Sequence, residues 1–551
     1  MPDQQESPVP GPEATGPDVS GPEAAGPDVS GSEALGSQSA GSEAAGPQSA
    51  GPEALAPQPA GPEAAGPQSA GPEAPAPQPA GPEAAGPQSA GPEALGPQPP
   101  APQSAGPQLP APQPAGPQPP APQPAAPQPA GPEAPGPEAP GPQPGLFSFE
   151  FATDPYPSYA WLREHAPVHK ASLPSGIEAW LVTRYGDARQ ALAEPRLSKN
   201  PAHHEGPEHA RGKTGIPGER KAELMTHLLN IDPPDHTRLR RLVSKAFTPR
   251  RVAEFAPRVR ELTDSLIDGF ADKGEADLIH EFAFPLPIYA ICDMLGVPRE
   301  DQDDFRDWAG MMIRHGGGPR GGVGRSVKKM RAYLVELIHR KRLEPGDDLV
   351  SGLIRASDDD AEHLTENEAA ALAFILLFAG FETTVNLIGN GVYALLRDPA
   401  ERERLQLSLA AGESGLLATG IEELLRYDGP VEMATWRFAT EAMTLGGQRI
   451  GAGDPVLVVL AAADRDPERF DRPATLDLAR RDNPHLGFGH GIHYCLGAPL
   501  ARLEGQTALS ALLTRLPDLR LAVEPEELRW RGGLIMRGLR TLPVEFTPPN
   551  M

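Results

Sequence analysis

A chain of 551 residues with a formal charge of −25 and only two cysteines is neither a basic nucleic-acid binder nor a disulfide-stapled scaffold. Two thiols suit a reducing cytoplasm, and Met1–Gln5 has neither the basic stretch nor the apolar run of a secretory leader. The longest apolar run, Ala369 to Phe381, spans 13 residues and is too short to cross a bilayer.

The charge is unevenly spread. Residues 1–145 hold 15 acidic groups and no Lys or Arg, which leaves −10 of the formal −25 for the rest. They hold 41 of the 70 prolines and no aromatic residue; the first ring is Phe147. A ten-residue repeat runs through them, as from Gly61 to Ala70 and again from Gly81. Stacked solenoid repeats need apolar residues, which are missing here. Such a segment cannot bury enough apolar surface to offset its conformational entropy. It is expected to be a disordered, partly polyproline II tail, a solvated spacer or alternatively an interaction arm. Residues 146–551 follow, enough for one large core or two packed lobes.

Helical periodicity dominates from residue 150 onward. Tyr156 to Glu164 reads as a helix, Glu178 to Thr183 as a strand and Tyr185 to Ala193 as a helix. Ser198 to Lys221 is polar, rich in Gly, Pro and His, and reads as a long loop. After Pro233-Pro234 a helix opens in which His236 and Arg240 stand four apart, on one face. Two cationic donors there can hold a carboxylate, or are simply solvated charge. Cys292 reads as a packed core thiol. A helical region from Asp304 to Arg342 is broken by the glycine-rich stretch Gly316 to Gly322.

Thr365 and Glu368 have capping-box spacing, so a helix is expected from there toward Leu396, before Pro399. Being apolar on all sides it must be buried, and Glu382, Thr383 and Thr384 in its middle are costly unless paired. With Gly380 beside them, a Thr hydroxyl bonding one turn back would open the helix locally. An acid and an alcohol there can form a proton relay, or can merely satisfy backbone groups. Glu423 and Arg426, three apart, can pair on their helix. Pro455 to Leu460 and Thr541 to Phe546 are the clearest late strands. Between them lies Phe488-Gly489-His490-Gly491-Ile492-His493-Tyr494-Cys495-Leu496-Gly497, then a helix with Pro499 in its first turn and Pro517 at its end. Turn amides and that helix's positive end would lower the Cys495 pKa toward the ligating thiolate. A buried apolar thiol, or a zinc site with His485, His490 and His493, are the competing readings, and neither explains the glycines and the phenylalanine.

At F-G-x-G-x-x-x-C-x-G the chain resembles the cytochrome P450 superfamily of haem-thiolate monooxygenases, of the soluble bacterial type, over roughly residues 146 to 548. The resemblance implies a mainly α fold around haem b (iron protoporphyrin IX) with a small β portion, and Cys495 as the iron's proximal ligand. Phe488 and Gly489 would belong to the cofactor cradle, while His236, Arg240, Arg437 and His493 would bind the propionates. Ala379-Gly380-Phe381-Glu382-Thr383 matches the family's oxygen-handling stretch, with Glu382 and Thr383 catalytic. Glu423 and Arg426 would form a structural brace with Arg480, although Leu476 and Asp464 depart from the usual residues nearby.

The chain has no dinucleotide-binding G-x-G-x-x-G unit and no cysteine cluster, so electrons must come from outside. By resemblance the donors are a ferredoxin and its reductase, steered by Arg238, Arg241, Lys245, Arg250 and Arg251. The expected reaction uses O2 to hydroxylate or epoxidise a small organic molecule such as a secondary metabolite. The pocket would draw on Ser198 to Lys221, the region of Gly316, Leu376, Leu377, Phe381 and Val431 to Thr435. No nucleic-acid or membrane partner is expected, and the location is cytoplasmic. A peroxide-driven peroxygenase or an inactive P450-like binding protein are the rivals.

Overall fold

The computed structural model describes residues 145–203, 227–314, 322–358 and 363–548. The repeat tail, most of the loop expected at Ser198 to Lys221 and the glycine break at 316–321 lie outside them.

The first elements are short and well capped. Ser148 accepts from Phe151 N to start α1 (Phe149–Thr153), and α2 (Tyr156–His165) begins among prolines. A hairpin of β1 (Val168–Ser172) and β2 (Glu178–Val182) leads into α3 (Tyr185–Ala193) and β3 (Leu197–Ser198). Next come α4 (Asp235–Ala246) and α5 (Pro249–Asp268), the latter capped by Thr248. After β4 (Glu275–Asp277), α6 (Pro285–Leu295) ends on Gly296 in the left-handed region. Then α7 (Gln302–Arg314), α8 (Gly322–Leu343) and α9 (Leu349–Asp358) lead to the long α10 (Glu366–Arg397). Its capping box is formed as the sequence predicts: Thr365 caps Glu368 N, and the Glu368 carboxylate accepts from Thr365 N.

Past α11 (Pro399–Ala410) and α12 (Gly415–Asp428) the chain turns to β structure. Strands β5 (Arg437–Ala439), β6 (Met443–Leu445), β7 (Gln448–Ile450) and β8 (Pro455–Val458) precede the short α13 (Leu460–Ala463). The cysteine loop then enters α14 (Ala498–Arg515), and β9 (Arg520–Leu521) and β10 (Pro543–Glu545) close the described chain.

One sheet runs β1-β2-β8-β5-β3, with β2 and β8 parallel and the other pairs antiparallel. Two smaller sheets run β4-β10-β9 and β6-β7. The fold is thus mainly α with a small β portion. Helix α10 is its axis and packs on α6, α8, α12 and α14. By length and composition α10 could cross a membrane, which the 13-residue apolar run did not suggest, but two thirds of its most apolar window is buried inside the protein.

Candidate active site

Four elements converge on one cluster of basic groups. Helix α4 brings His236, buried at 2 %, and Arg240 one turn on; β5 brings Arg437; the cysteine loop brings His493. The His236 and His493 rings lie 4.3 Å apart. A fifth group, Lys199, follows β3 and is 4 % exposed, its Nζ donating to Thr435 O (2.8 Å), Thr435 Oγ1 (2.6 Å) and Trp436 O (2.6 Å). These bonds fix the backbone just before Arg437, whose guanidinium donates to Leu192 O and Leu197 O.

The cluster is electrostatically one-sided. Burial and then Lys199, His236, Arg437 and Arg240 push His493 down to about 2. Burial and then Arg240 lower His236, and burial lowers Arg240 and takes Arg437 to about 10. Lys199 falls well below the usual lysine range through burial and then Arg437. Asp232 opposes part of this at Lys199, His236 and Arg437. Three buried nitrogens here, His236 Nε2, His493 Nδ1 and Arg437 Nε, have no hydrogen-bond partner. Buried nitrogens left unpaired beside the Arg240 and Arg437 guanidiniums suit an anion.

Beside the cluster, the cysteine loop is folded by its glycines. Gly489 and Gly491 have φ of +73° and +75°, and a Cβ on Gly491 would meet Leu192 O at 3.1 Å. The loop closes with Gly489 N donating to Leu486 O and Cys495 N to Phe488 O. Phe488 packs under Arg502, whose guanidinium lies 4.6 Å from the ring and clasps Glu422 with two bonds of 2.6 and 2.7 Å. Burial raises the Cys495 thiol, while the amides of Gly497 and Ala498, then Arg240 and Arg502, pull it down. The donors expected from the sequence are therefore present, and for the free thiol burial outweighs them.

The brace forms as expected, Arg480 included. Glu423 and Arg426 are fully buried and joined by two bonds of 2.8 Å; Arg480 Nε, Asn483 Nδ2 and Asp477 N also donate to Glu423. Arg426 reaches the carbonyls of Asp464, Pro473 and Thr475, and the Asp464 carboxylate accepts from Leu486 N, two residues before Phe488. The unusual Asp464 is thus the link between brace and loop. Burial raises its carboxyl to about 7.

On α10, Thr383 Oγ1 donates to Ala379 O (2.6 Å) and Thr384 Oγ1 to Gly380 O (3.0 Å). The helix nevertheless stays α-helical from end to end, so the expected local opening is not formed. Burial raises Glu382, and Arg531 of the C-terminal segment opposes that rise. Beside Thr384, Glu504 of α14 is 1 % exposed and is raised to about 8 by burial.

Lys199, Glu504 and Arg531 went unnoticed in the sequence. No spacing motif marks them in the sequence. The five cations expected to steer a ferredoxin are partly compensated: Arg238 pairs with Glu368, Arg250 with Glu254 and Arg251 with Asp347. Among the described residues no cluster of three His, Cys, Asp or Glu could hold a metal ion, so the zinc alternative finds no support.

Residues 321–517 match the cytochrome P450 family. Cytochrome P450 107B1 of Saccharopolyspora erythraea is 47% identical over 407 residues, covering 73% of this chain and 98% of that protein. Cytochrome P450 monooxygenase PikC of Streptomyces venezuelae is also 47% identical, over 404 residues, 73% of this chain and 93% of that one. Among solved structures, the Bacillus subtilis 168 bacillaene polyketide synthase cytochrome P450 PksS aligns with a TM-score of 0.67 at 37% identity, covering 73% of this chain and 99% of that one. The chain belongs to the cytochrome P450 family and is a haem-dependent monooxygenase that acts on organic molecules with electrons from redox partners. Its cofactor is haem, and the donor set fits it: a thiol on a glycine-shaped loop lies beside a buried cluster of basic side chains suited to two propionates.

Proposed function

We propose that this monooxygenase hydroxylates or epoxidises a small secondary metabolite, with Cys495 as its iron ligand. When bound, the haem supplies the activation of O2 that no side chain provides. Cys495 Sγ would ligate the iron, with the Gly497 and Ala498 amides holding charge on the sulfur. His236, Arg240, Arg437 and His493 would hold the propionates, with Phe488 and Gly489 shaping the cradle. On α10, Thr383 already gives its hydroxyl hydrogen to Ala379 O, so its oxygen is free to accept from a neighbouring donor. Glu382, half-buried one residue earlier, would pass the proton on.

The observation that carries this reading is the set of buried unpaired nitrogens on three of the expected propionate ligands. The polyketide-linked relative PksS supports the substrate class. The electron donor would be a ferredoxin with its reductase, and the site of action the cytoplasm. Residues 1–145 would serve as a solvated spacer ahead of the haem domain, 146–551. The acid–alcohol pair on α10 speaks against a peroxide-driven enzyme.

The test is spectroscopic. The reduced, carbon-monoxide-treated protein should show a red-shifted Soret band that Cys495→Ala abolishes, and a candidate polyketide should shift the haem spin state. Retention of that band in Cys495→Ala would sink the proposal. Thr383→Ala should divert electrons to peroxide, lowering product per electron pair by roughly tenfold or more.

A further inference from the structure

One carboxylate holds much of the basic cluster in place without belonging to it. Asp232, half-buried just ahead of α4, accepts from Ser198 Oγ and from Lys199 N (2.9 Å), the latter 33 residues away along the chain. Ser198 Oγ in turn accepts from Asn200 N (2.9 Å), so the carboxylate fixes the backbone that leaves β3. That strand pairs with β5, Leu197 facing Ala439 and Ser198 facing Phe438. From the same stretch the Lys199 ammonium runs to Thr435 and Trp436, and Leu197 O takes a bond from Arg437 Nη1 (3.4 Å). Both supports of Arg437 therefore start from backbone that Asp232 holds.

The main chain of Asp232 reaches the other side of the cluster. Its carbonyl accepts from His236 N (3.0 Å), the bond that closes the first turn of α4. One turn further on, Arg240 Nη2 donates to Tyr494 O (2.6 Å), beside Cys495. Of the three buried nitrogens without partners, His236 Nε2 and Arg437 Nε thus belong to residues placed, at one remove, by Asp232. The arrangement is costly, because Lys199 is buried in the field of Arg437, with Asp232 as the opposing carboxylate. What the lysine provides is three donors, and all three are spent on the segment that leads into Arg437.

We propose that Asp232 is a positioning residue for the haem propionates: its carboxylate sets the Ser198–Lys199 backbone that presents Arg437, and its carbonyl sets the turn that presents His236. This rests on the reading of Arg437 and His236 as propionate ligands. The carboxylate is itself engaged by the Ser198 hydroxyl and the Lys199 amide, so its part is placement rather than contact with the ligand. With that staple removed, the Asp232 carbonyl loses its anchorage to β3 and the start of α4 is freed with it. In metal sites, groups that orient a binding residue from behind are worth about 10–100-fold in affinity, and the same logic holds for a propionate cradle.

The experiment follows transfer of haem from the full-length loaded protein to a scavenger apoprotein, together with the propionate bending bands of its resonance Raman spectrum. Asp232→Ala should speed transfer by roughly tenfold and move the propionate bands. Asp232→Asn keeps an acceptor for Lys199 N and offers an amide to the Ser198 oxygen, so it should stay within about twofold of the parent. Because both residues serve one cradle, Asp232→Ala combined with Arg437→Leu should fall well short of the product of the two single effects. If Asp232→Ala does not keep its Soret band, Ser198→Ala, which removes one of the two bonds, takes its place with a smaller change in the same direction. Parent-like transfer and bands in these variants, single effects that multiply, or an Asn variant as fast as the Ala variant would each overturn the inference. If Arg437→Leu itself leaves transfer and bands at the parent values, the propionate reading fails; if Arg437→Leu moves them and Asp232→Ala does not, only the role of Asp232 does.

Discussion

Two buried charge clusters flank the cysteine loop, and they differ in whether the fold completes them. In the brace, Glu423 and Arg426 are sealed from solvent, and the carboxylate accepts from Arg426, Arg480, Asn483 and a backbone amide. In the cradle, Lys199, His236 and Arg437 are buried almost as deeply, but three nitrogens go unpaired. The brace satisfies its carboxylate internally and serves the fold. The cradle leaves nitrogens open, which suits it to a ligand.

The contrast can be broken most sharply at the brace. Glu423→Ala strands the buried Arg426 guanidinium and deprives Arg480 of its carboxylate, and should cost about 3–5 kcal/mol in denaturant unfolding, with or without haem. A milder loss would mean that water reaches the cavity. Next in size is Arg437→Leu, expected to speed haem transfer to a scavenger apoprotein by roughly tenfold, about 1.4 kcal/mol, while the haem-free protein melts no lower. An equal loss in the haem-free form would make Arg437 part of the scaffold instead.

A third test uses pH. His493, whose pKa is about 2 in the fold against 6.5 ordinarily, binds a proton in the unfolded chain but not in the folded one between those values. The haem-free protein should therefore lose stability as pH falls below about 6.5, by up to about 1.4 kcal/mol per unit from this group. His236, also lowered, acts in the same direction. Bound propionates would relieve the depression and flatten the slope, and so would His493→Phe; calorimetry of the three forms decides it. The smallest effect belongs to the exposed Arg250–Glu254 pair, where Arg250→Ala should leave the melting temperature unmoved.

Much of this was legible in the sequence because it is local. The capping box at Thr365, the course of α10 and the cysteine loop each sit within a few residues of chain, and Arg480 reached its partner despite unusual neighbours. Strands of two to five residues carry too little alternation to be read, so the five-stranded sheet appeared in the sequence only as fragments. Lys199 acquires meaning from a partner far along the chain, Thr435, which no spacing rule connects. The donors to the Cys495 sulfur can be counted from sequence, whereas its burial cannot.

Lys199 has a practical bearing on redesign. It stands at the start of the segment between β3 and α4, yet its ammonium is spent on the carbonyls that present Arg437. Chimeras that exchange this segment should place their crossover after residue 199, because a splice on the other side would remove the ammonium that holds the backbone before Arg437, with poor pigment incorporation as the expected result.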